Sequence, residues 1–261
     1  LILESTARYP EDSDYPYCAD CFSNHEDNRI IHDYYYKPKP VFFGEGPRYF
    51  GVELEIDRGG ELEENARELL DIGNREKEHI YIKHDGSLSD GMEIVTHPMT
   101  LDYHINNMNW DELAKKALAM DYRSHKTSTC GFHIHVNRSS FSDIYAEREE
   151  RIANVFYIVE KFWDRFLIFS RRTADQLAQW ASRYGCGTAP KDVYKNVKEN
   201  YYGRYKCIND QNDATIEFRI FRGTLRTNTI IATLQMVNEI CNVAVSMSEK
   251  DLQELTWDEF V

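Results

Sequence analysis

The sequence predicts an α+β fold built on a mainly antiparallel sheet. Some segments carry apolar residues with period two, as in Tyr49–Asp57 and Gly131–Asn137. Longer segments carry them at helical spacing, as in Thr229–Met247. The strand-like segments form hairpin-like neighbours, and the helices are segregated from them, a mixture that points to α+β. With 261 residues, 42% of them hydrophobic and 13% aromatic, the chain can bury a substantial core.

Residues 1–47 differ from the rest. They hold Pro10, Pro16, Pro38, Pro40 and Pro47, a Tyr34-Tyr35-Tyr36 run, and no sustained helical period. We read them as an irregular segment that packs on a main body running from 48 to 261. The segment's one motif is Cys18-Ala-Asp-Cys21, half of the four-ligand set that structural Zn2+ requires. His25 and His32 follow at a spacing that fits no standard zinc pattern, so two free thiols in a loop is the competing reading.

In the main body, Tyr49–Asp57 is a strand and Glu61–Ile72 a charged helix. His79–Lys83 is β-like, Asp85-Gly86 marks a turn, and Met92–Thr96 is a strand stopped by Pro98. Thr100–Met120 reads as one helix, and Gly131–Asn137 as a strand. Asp143 is placed to cap a helix that continues to Ser170. Residues 171–190 give a shorter helix and a loop. Tyr201–Ile208 and Thr215–Arg222 are an antiparallel strand pair, and Thr229–Met247 is a helix with Ile230, Leu234, Val237, Ile240 and Val243 or Val245 inward.

A net charge of −13 disfavours nucleic acid as a partner, because phosphate binders need Lys and Arg. No stretch reads as the roughly 20 apolar residues of a membrane helix, and no basic-then-apolar leader is visible. Leu1 is not an initiator Met, which leaves room for residues upstream. Six dispersed cysteines suit a reducing cytoplasm better than a disulfide framework.

Three strands share a peculiarity. Glu53 and Glu55 fall on one face, opposite Val52, Leu54 and Ile56. His133 and His135 oppose Phe132, Ile134 and Val136, and Glu217 and Arg219 oppose Ile216, Phe218 and Ile220. One such strand would be an ordinary half-buried strand with a solvated outer face. Three with carboxylates and imidazoles in pairs are different, because adjacent carboxylates repel unless a cation sits between them. Carboxylate and imidazole suit divalent metals, with oxygen ligands favouring Mg2+ or Mn2+. Arg beside them suits a phosphate or carboxylate. Asp85 at its turn and Glu93 on its strand are further acids for such a site. On chemistry alone, a metal-dependent hydrolase fits these ligands equally well, although no His-Glu-x-x-His signature is present. Cys130 beside the histidines is read as a small buried residue, with a thiol nucleophile as the alternative.

The motifs Gly51-x-Glu-x-Glu55, Lys83-x-Asp-Gly-Ser-Leu88 with Gly91-x-Glu-Ile-Val-x-x-Pro98, Cys130-Gly-x-His-x-His135 and Ile216-Glu-Phe-Arg219 occur in that order. Together they resemble the amidoligase branch, the carboxylate–amine ligases, of the glutamine synthetase and glutamate–cysteine ligase superfamily. Each motif alone is weak; four in order on strands are strong. The resemblance implies a half-barrel of curved antiparallel sheet with helices on its convex side. It implies ATP and Mg2+ or Mn2+, an acyl-phosphate intermediate, and carboxylate and amine substrates. It places Glu55 and Glu93 on one metal, with Asp85 as a third ligand, and Glu53, His133 and Glu217 on the other. Arg219 would contact the transferring phosphate, Glu217 and Arg219 would carry catalysis, and His135 and Lys83 would sit near the nucleotide. Arg171, Arg172, Arg183, Arg222 and Arg226 are candidates for substrate or phosphate contacts, with an exposed Arg at a helix end as the stronger reading for most of them. The chain departs from the family in lacking a separate β-grasp domain, and a catalytically inactive ligase-like binding module is the alternative from a different class.

Overall fold

A computed structural model describes residues 7–9, 15–26, 29–185, 187–199 and 205–261. Seven strands form one open sheet in the order β1-β3-β4-β2-β5-β7-β6. They are β1 (Ile31–His32), β2 (Phe50–Asp57), β3 (Ile80–Lys83), β4 (Gly91–Thr96), β5 (Phe132–Asn137), β6 (Ile208–Asn209) and β7 (Thr215–Phe218). Every pairing is antiparallel except that of β1 with β3. The α+β class and the mainly antiparallel sheet therefore stand as expected.

One face of the sheet is apolar because the strands alternate. Val52, Leu54, Ile56, Ile82, Ile94, Phe132, Ile134, Val136, Ile216 and Phe218 are all buried in one core cluster. Fully burying such a side chain contributes about 1.5–3 kcal/mol, so this face anchors the fold. Helices cover it. α2 (Glu63–Gly73) packs on β3, and the long α5 (Tyr145–Lys161) packs on α9 (Thr227–Ser246). Ile230, Leu234, Val237, Ile240 and Val243 of α9 are buried, and Val245 is only partly so. Asn154 of α5 donates from Nδ2 to the Ala244 carbonyl at 3.0 Å, satisfying a buried polar group between the two helices. Among the described residues, α9 is the one helix long and apolar enough to cross a membrane. Here its apolar stripe is spent on the core.

Several elements differ from the sequence reading. The Thr100–Met120 helix is two helices, α3 (Leu101–Asn106) and α4 (Trp110–Ala119). The Asn107-Met108-Asn109 break lets Met108 enter the core and Trp110 stack on His104 at 5.9 Å. Asp143 does not cap α5. The N-cap is Ile144, whose N–H donates to Ser142 Oγ. The expected continuation to Ser170 is interrupted at Phe162, before α6 (Trp163–Ser170). The bend brings Phe162 and Phe166 against Trp257 and Phe260 of α11 (Trp257–Phe260). The shorter helix predicted after residue 171 is α7 (Ala174–Trp180), fixed by a Thr173–Gln176 capping box. α8 (Pro190–Glu199) and α10 (Glu249–Glu254) were not anticipated. The predicted strand Tyr201–Ile208 lies partly outside the described residues; of 205–208, which are described, only Ile208 belongs to a strand, β6.

The N-terminal segment is more ordered than its composition suggests. It holds α1 (Ala19–Glu26), and β1 extends the main sheet by pairing Ile31 with Ile82 and His32 with Lys83. Cys18 Sγ accepts the Cys21 N–H at 3.4 Å. Both are free thiols, and neither belongs to a metal-ligand cluster among the described residues. His25's side chain lies outside what is described.

His104 supplies a pH test of this packing. It is fully buried, with Nε2 3.0 Å from the Phe50 carbonyl, and burial pushes its pKa from 6.5 down to about 4. Between those values the unfolded chain binds a proton that the native state refuses, so stability falls as pH drops from about 6.5 to about 4. The loss reaches about 3 kcal/mol. Urea unfolding of wild type and His104→Gln across this range should show the difference narrowing as pH falls. Parallel curves would contradict it.

Candidate active site

The other face of the sheet carries the candidate residues, and register brings them together. β2 lies between β4 and β5, pairing Glu55 with Glu93 and Glu53 with both Val95 and His133. β3 continues the row by pairing Lys83 with Glu93. On the other side His135 pairs with Glu217, and Glu217 with Asn209. Six adjacent strands, β3 to β6 in the sheet order, thus present Lys83, Glu93, Glu55 and Glu53, His133 and His135, Glu217 and Asn209 on one face.

Two groups of ligand atoms result, each with all its atoms within 4.8 Å of one another: Glu53, His133 and Glu217, and Glu55, Glu93 and His133. His133 stands between them. Its Nδ1 lies 3.3 Å from Glu53 and 3.7 Å from Glu217, while its Nε2 lies 3.7 Å from Glu55. Glu55, Glu93, His133 and Glu217 are buried; Glu53 is partly exposed. Asp85 is in neither group. It lines the cleft above them, and its side chain accepts the Ser87 N–H at 2.7 Å. The loop that carries it is fastened by buried Asp57, which accepts the Asp90 N–H at 2.7 Å and the Ser89 N–H at 3.2 Å.

Electrostatics show what this crowding costs. Burial and the charges of Glu53, Glu55 and Asp85 push the Glu93 carboxyl well above its usual range, although Lys83 Nζ lies 3.7 Å away. Burial likewise raises Glu55, which accepts the Gly131 N–H. Burial would also raise Glu53, but His135 and His133 hold it well below the usual carboxylate range. His135 Nε2 is 3.1 Å from Glu53 and its Nδ1 is 3.1 Å from Thr215 Oγ1. Burial opposes its protonation, yet Glu53 and Glu217 raise it. Converging buried carboxylates short of positive charge, with one imidazole between them, fit one or two hard divalent cations.

Arginines border the cluster. Arg219 pairs with Glu217, whose second oxygen accepts from Asn209 Nδ2 at 2.8 Å. Of the five arginines beside Arg219 that the sequence offered, only Arg172 enters the cleft. Burial pushes it down to about 10. Nε of Arg172 and of Arg219 is buried with no hydrogen-bond partner among the described residues. Arg183 instead pairs with Glu160 at 2.9 Å. The cleft, about 520 Å³, is walled by Tyr34, Tyr35, Trp180 and Tyr205. Cys130 is buried beside this site, and burial pushes its thiol up to about 12, which suits a packing residue rather than a nucleophile. Asn209, absent from the sequence reading, is visible only through its register with Glu217.

The chain is α+β and gathers carboxylates, imidazole and arginine on one face of an open sheet, a donor set that suits a metal ion. A family model described as "Putative amidoligase enzyme" matches residues 71–241, more than half of the chain. The protein therefore belongs to the amidoligase family and is a ligase-type enzyme. The match includes Glu93, His133, Glu217 and Arg219 but starts beyond β2. No curated protein matches the chain.

Gly131 tests the geometry. A Cβ there would lie 2.3 Å from His133 Nε2 and 2.8 Å from Arg172 Nη2. Gly131→Ala should destabilise the fold by about 1–3 kcal/mol in urea unfolding, as overpacking of a tight site does. An unchanged midpoint would show that the His133 ring is not held where the structure has it.

Proposed function

We propose that the protein is an ATP-dependent carboxylate–amine ligase that forms an amide through an acyl phosphate at a two-metal site. The observation that carries this reading is the convergence of Glu53, Glu55, Glu93, His133 and Glu217 beside Arg172 and Arg219. The open sheet is read as the concave, half-barrel surface of glutamine synthetase-like ligases. The five described cysteines are free thiols, which fits a reducing cytoplasm.

Glu53, Nδ1 of His133 and Glu217 would hold one Mg2+ or Mn2+. Glu55 and Glu93 would hold the other, with Asp85 at the mouth of the cleft. Bound there, the cations would neutralise phosphate charge as the phosphoryl group moves. Asn209 and Arg219 fix the Glu217 carboxylate from both sides. Arg219 has a donor left over, and a transferring phosphoryl group is the acceptor we assign to it. Arg172 is placed to orient the substrate carboxylate, because its buried guanidinium lacks a full set of partners. Lys83 offsets Glu93 and so tunes the acidic row, and His135 lies on the nucleotide side of Glu53.

A carboxylate is a poor electrophile, since its charge repels nucleophiles and oxide is a poor leaving group. Attack of its oxygen on the γ-phosphorus of ATP releases ADP and gives an acyl phosphate. The amine then attacks the acyl carbon, the C–O bond to phosphate breaks, phosphate leaves, and the nitrogen sheds a proton to leave the amide. The walled cleft limits hydrolysis of that intermediate.

ADP release is the assay. With a panel of acids and amines it should depend on Mg2+, and product mass should fall one water short of the two substrates. Glu53→Ala and Glu217→Ala should each lower turnover by at least about 100-fold. Turnover untouched by both substitutions would remove the site assignment. ATP binding without phosphate release on any panel would favour the inactive binding module.

A further inference from the structure

A second cavity, of about 320 Å³, lies away from the cleft, among α4, the C-terminus of α6 and the N-terminus of α9. Arg123, His125, Lys126, Arg171 and Arg226 line it, and none of its lining residues is acidic. That is an unusual surface for a chain with 44 acids against 31 Lys and Arg. Arg171 and Arg172 are consecutive but diverge, Arg172 into the cleft and Arg171 into this cavity.

The positive charge here is not neutralised from within. Arg171 donates only to neutral acceptors: the Phe169 carbonyl, Thr233 Oγ1 and the Arg222 carbonyl. Arg222, packed beside it, donates to the Arg171 and Thr127 carbonyls. Lys126 and Arg226 have no carboxylate partner among the described residues. Only Arg123 has one, the exposed Asp121 at 3.4 Å. His125 is pushed down by burial and by Arg222, Arg171, Arg226 and Lys126 together. Like charges gathered in this way repel one another, and nothing in the packing requires Lys126 or Arg226, which are exposed.

α9 adds to the field. It is 20 residues long, its N-cap Arg226 makes no side-chain capping bond, and its first turn has no acid. Arg226 and Thr229 at its start line this cavity, while Thr227 and Asn228 line a neighbouring pocket beside Asp111, so the cavity receives part of the helix's positive end. Leu118 and Leu225 supply apolar wall.

We infer that this cavity is a second anion site, which binds the phosphate group of a small molecule through Arg171, Lys126 and Arg226. The site is separate from the ligase cleft, with which it shares no lining residue. Arginine guanidinium groups match phosphate oxygens.

Inorganic pyrophosphate is the probe, titrated calorimetrically into the full chain with metal chelated. Wild type should bind, and Lys126→Gln with Arg226→Gln should weaken binding at least about 10-fold. Both positions are exposed, so the fold should persist; an unchanged Tm verifies this. Arg219→Gln, which alters the cleft, should retain pyrophosphate binding. No binding by wild type, affinity unchanged in the double variant, or loss in Arg219→Gln alone would each overturn the inference. ADP titrated in parallel identifies the carrier. Binding tighter than pyrophosphate, lost with Lys126 and Arg226, assigns a nucleotide. Equal or weaker binding, with the same loss, assigns another phosphate ester.

Discussion

β2 hydrogen-bonds to β4 along one edge and to β5 along the other, and those two registers place Glu55 beside Glu93 and Glu53 beside His133. The rest of the site is an extension of that row. Side chains alternate across a sheet, so a slip of one residue would send Glu53 and Glu55 into the core and Val52, Leu54 and Ile56 into the cleft. The apolar half of the same strand forbids the slip. Val52 and Ile56 are fully buried and Leu54 nearly so, and each would lose about 1.5–3 kcal/mol on exposure. The packing that makes the fold is thus what holds the acids in place.

Those acids do not serve stability. Removing an ion from water costs several kcal/mol, and an attractive partner returns that only with good geometry. Glu93 shows the deficit, since the nearest cation, Lys83, stands 3.7 Å away while carboxylates crowd from β2 and the Asp85 loop. A fold that keeps such a group is spending stability on a charge it needs elsewhere. Arg172 and Arg219 are the complement, buried donors without a full set of acceptors. Excess negative charge beside unfilled donors supports the proposed reading of a cleft for a cation and an anion together.

Much of this was legible in the sequence, and the reasons are local. Period-two alternation located β2, β5 and β7, and which of their side chains share a face follows from it directly. Which strands are neighbours does not, so the row from Lys83 to Asn209 needed the topology. Asn209 sits on a two-residue strand too short to show any period. Arg172 could not be told from Arg171 or Arg222, because the αL turn at Arg171 (φ 63°) decides which side chain faces the cleft. The break between α3 and α4 was passed over because Leu101, Ile105 and Met108 keep helical spacing up to it and Leu113, Ala117 and Met120 resume it beyond. The N-terminal prolines concealed β1, whose pairing with β3 comes from a distant partner rather than from propensity.

Metal stoichiometry tests the central claim most directly. Mn2+ titrated into the full chain and followed by electron paramagnetic resonance should fill two sites. Glu217→Gln and Glu93→Gln should each leave one, because they belong to different ligand groups. No Mn2+ binding by the wild-type chain, or two sites remaining in both variants, would contradict the account.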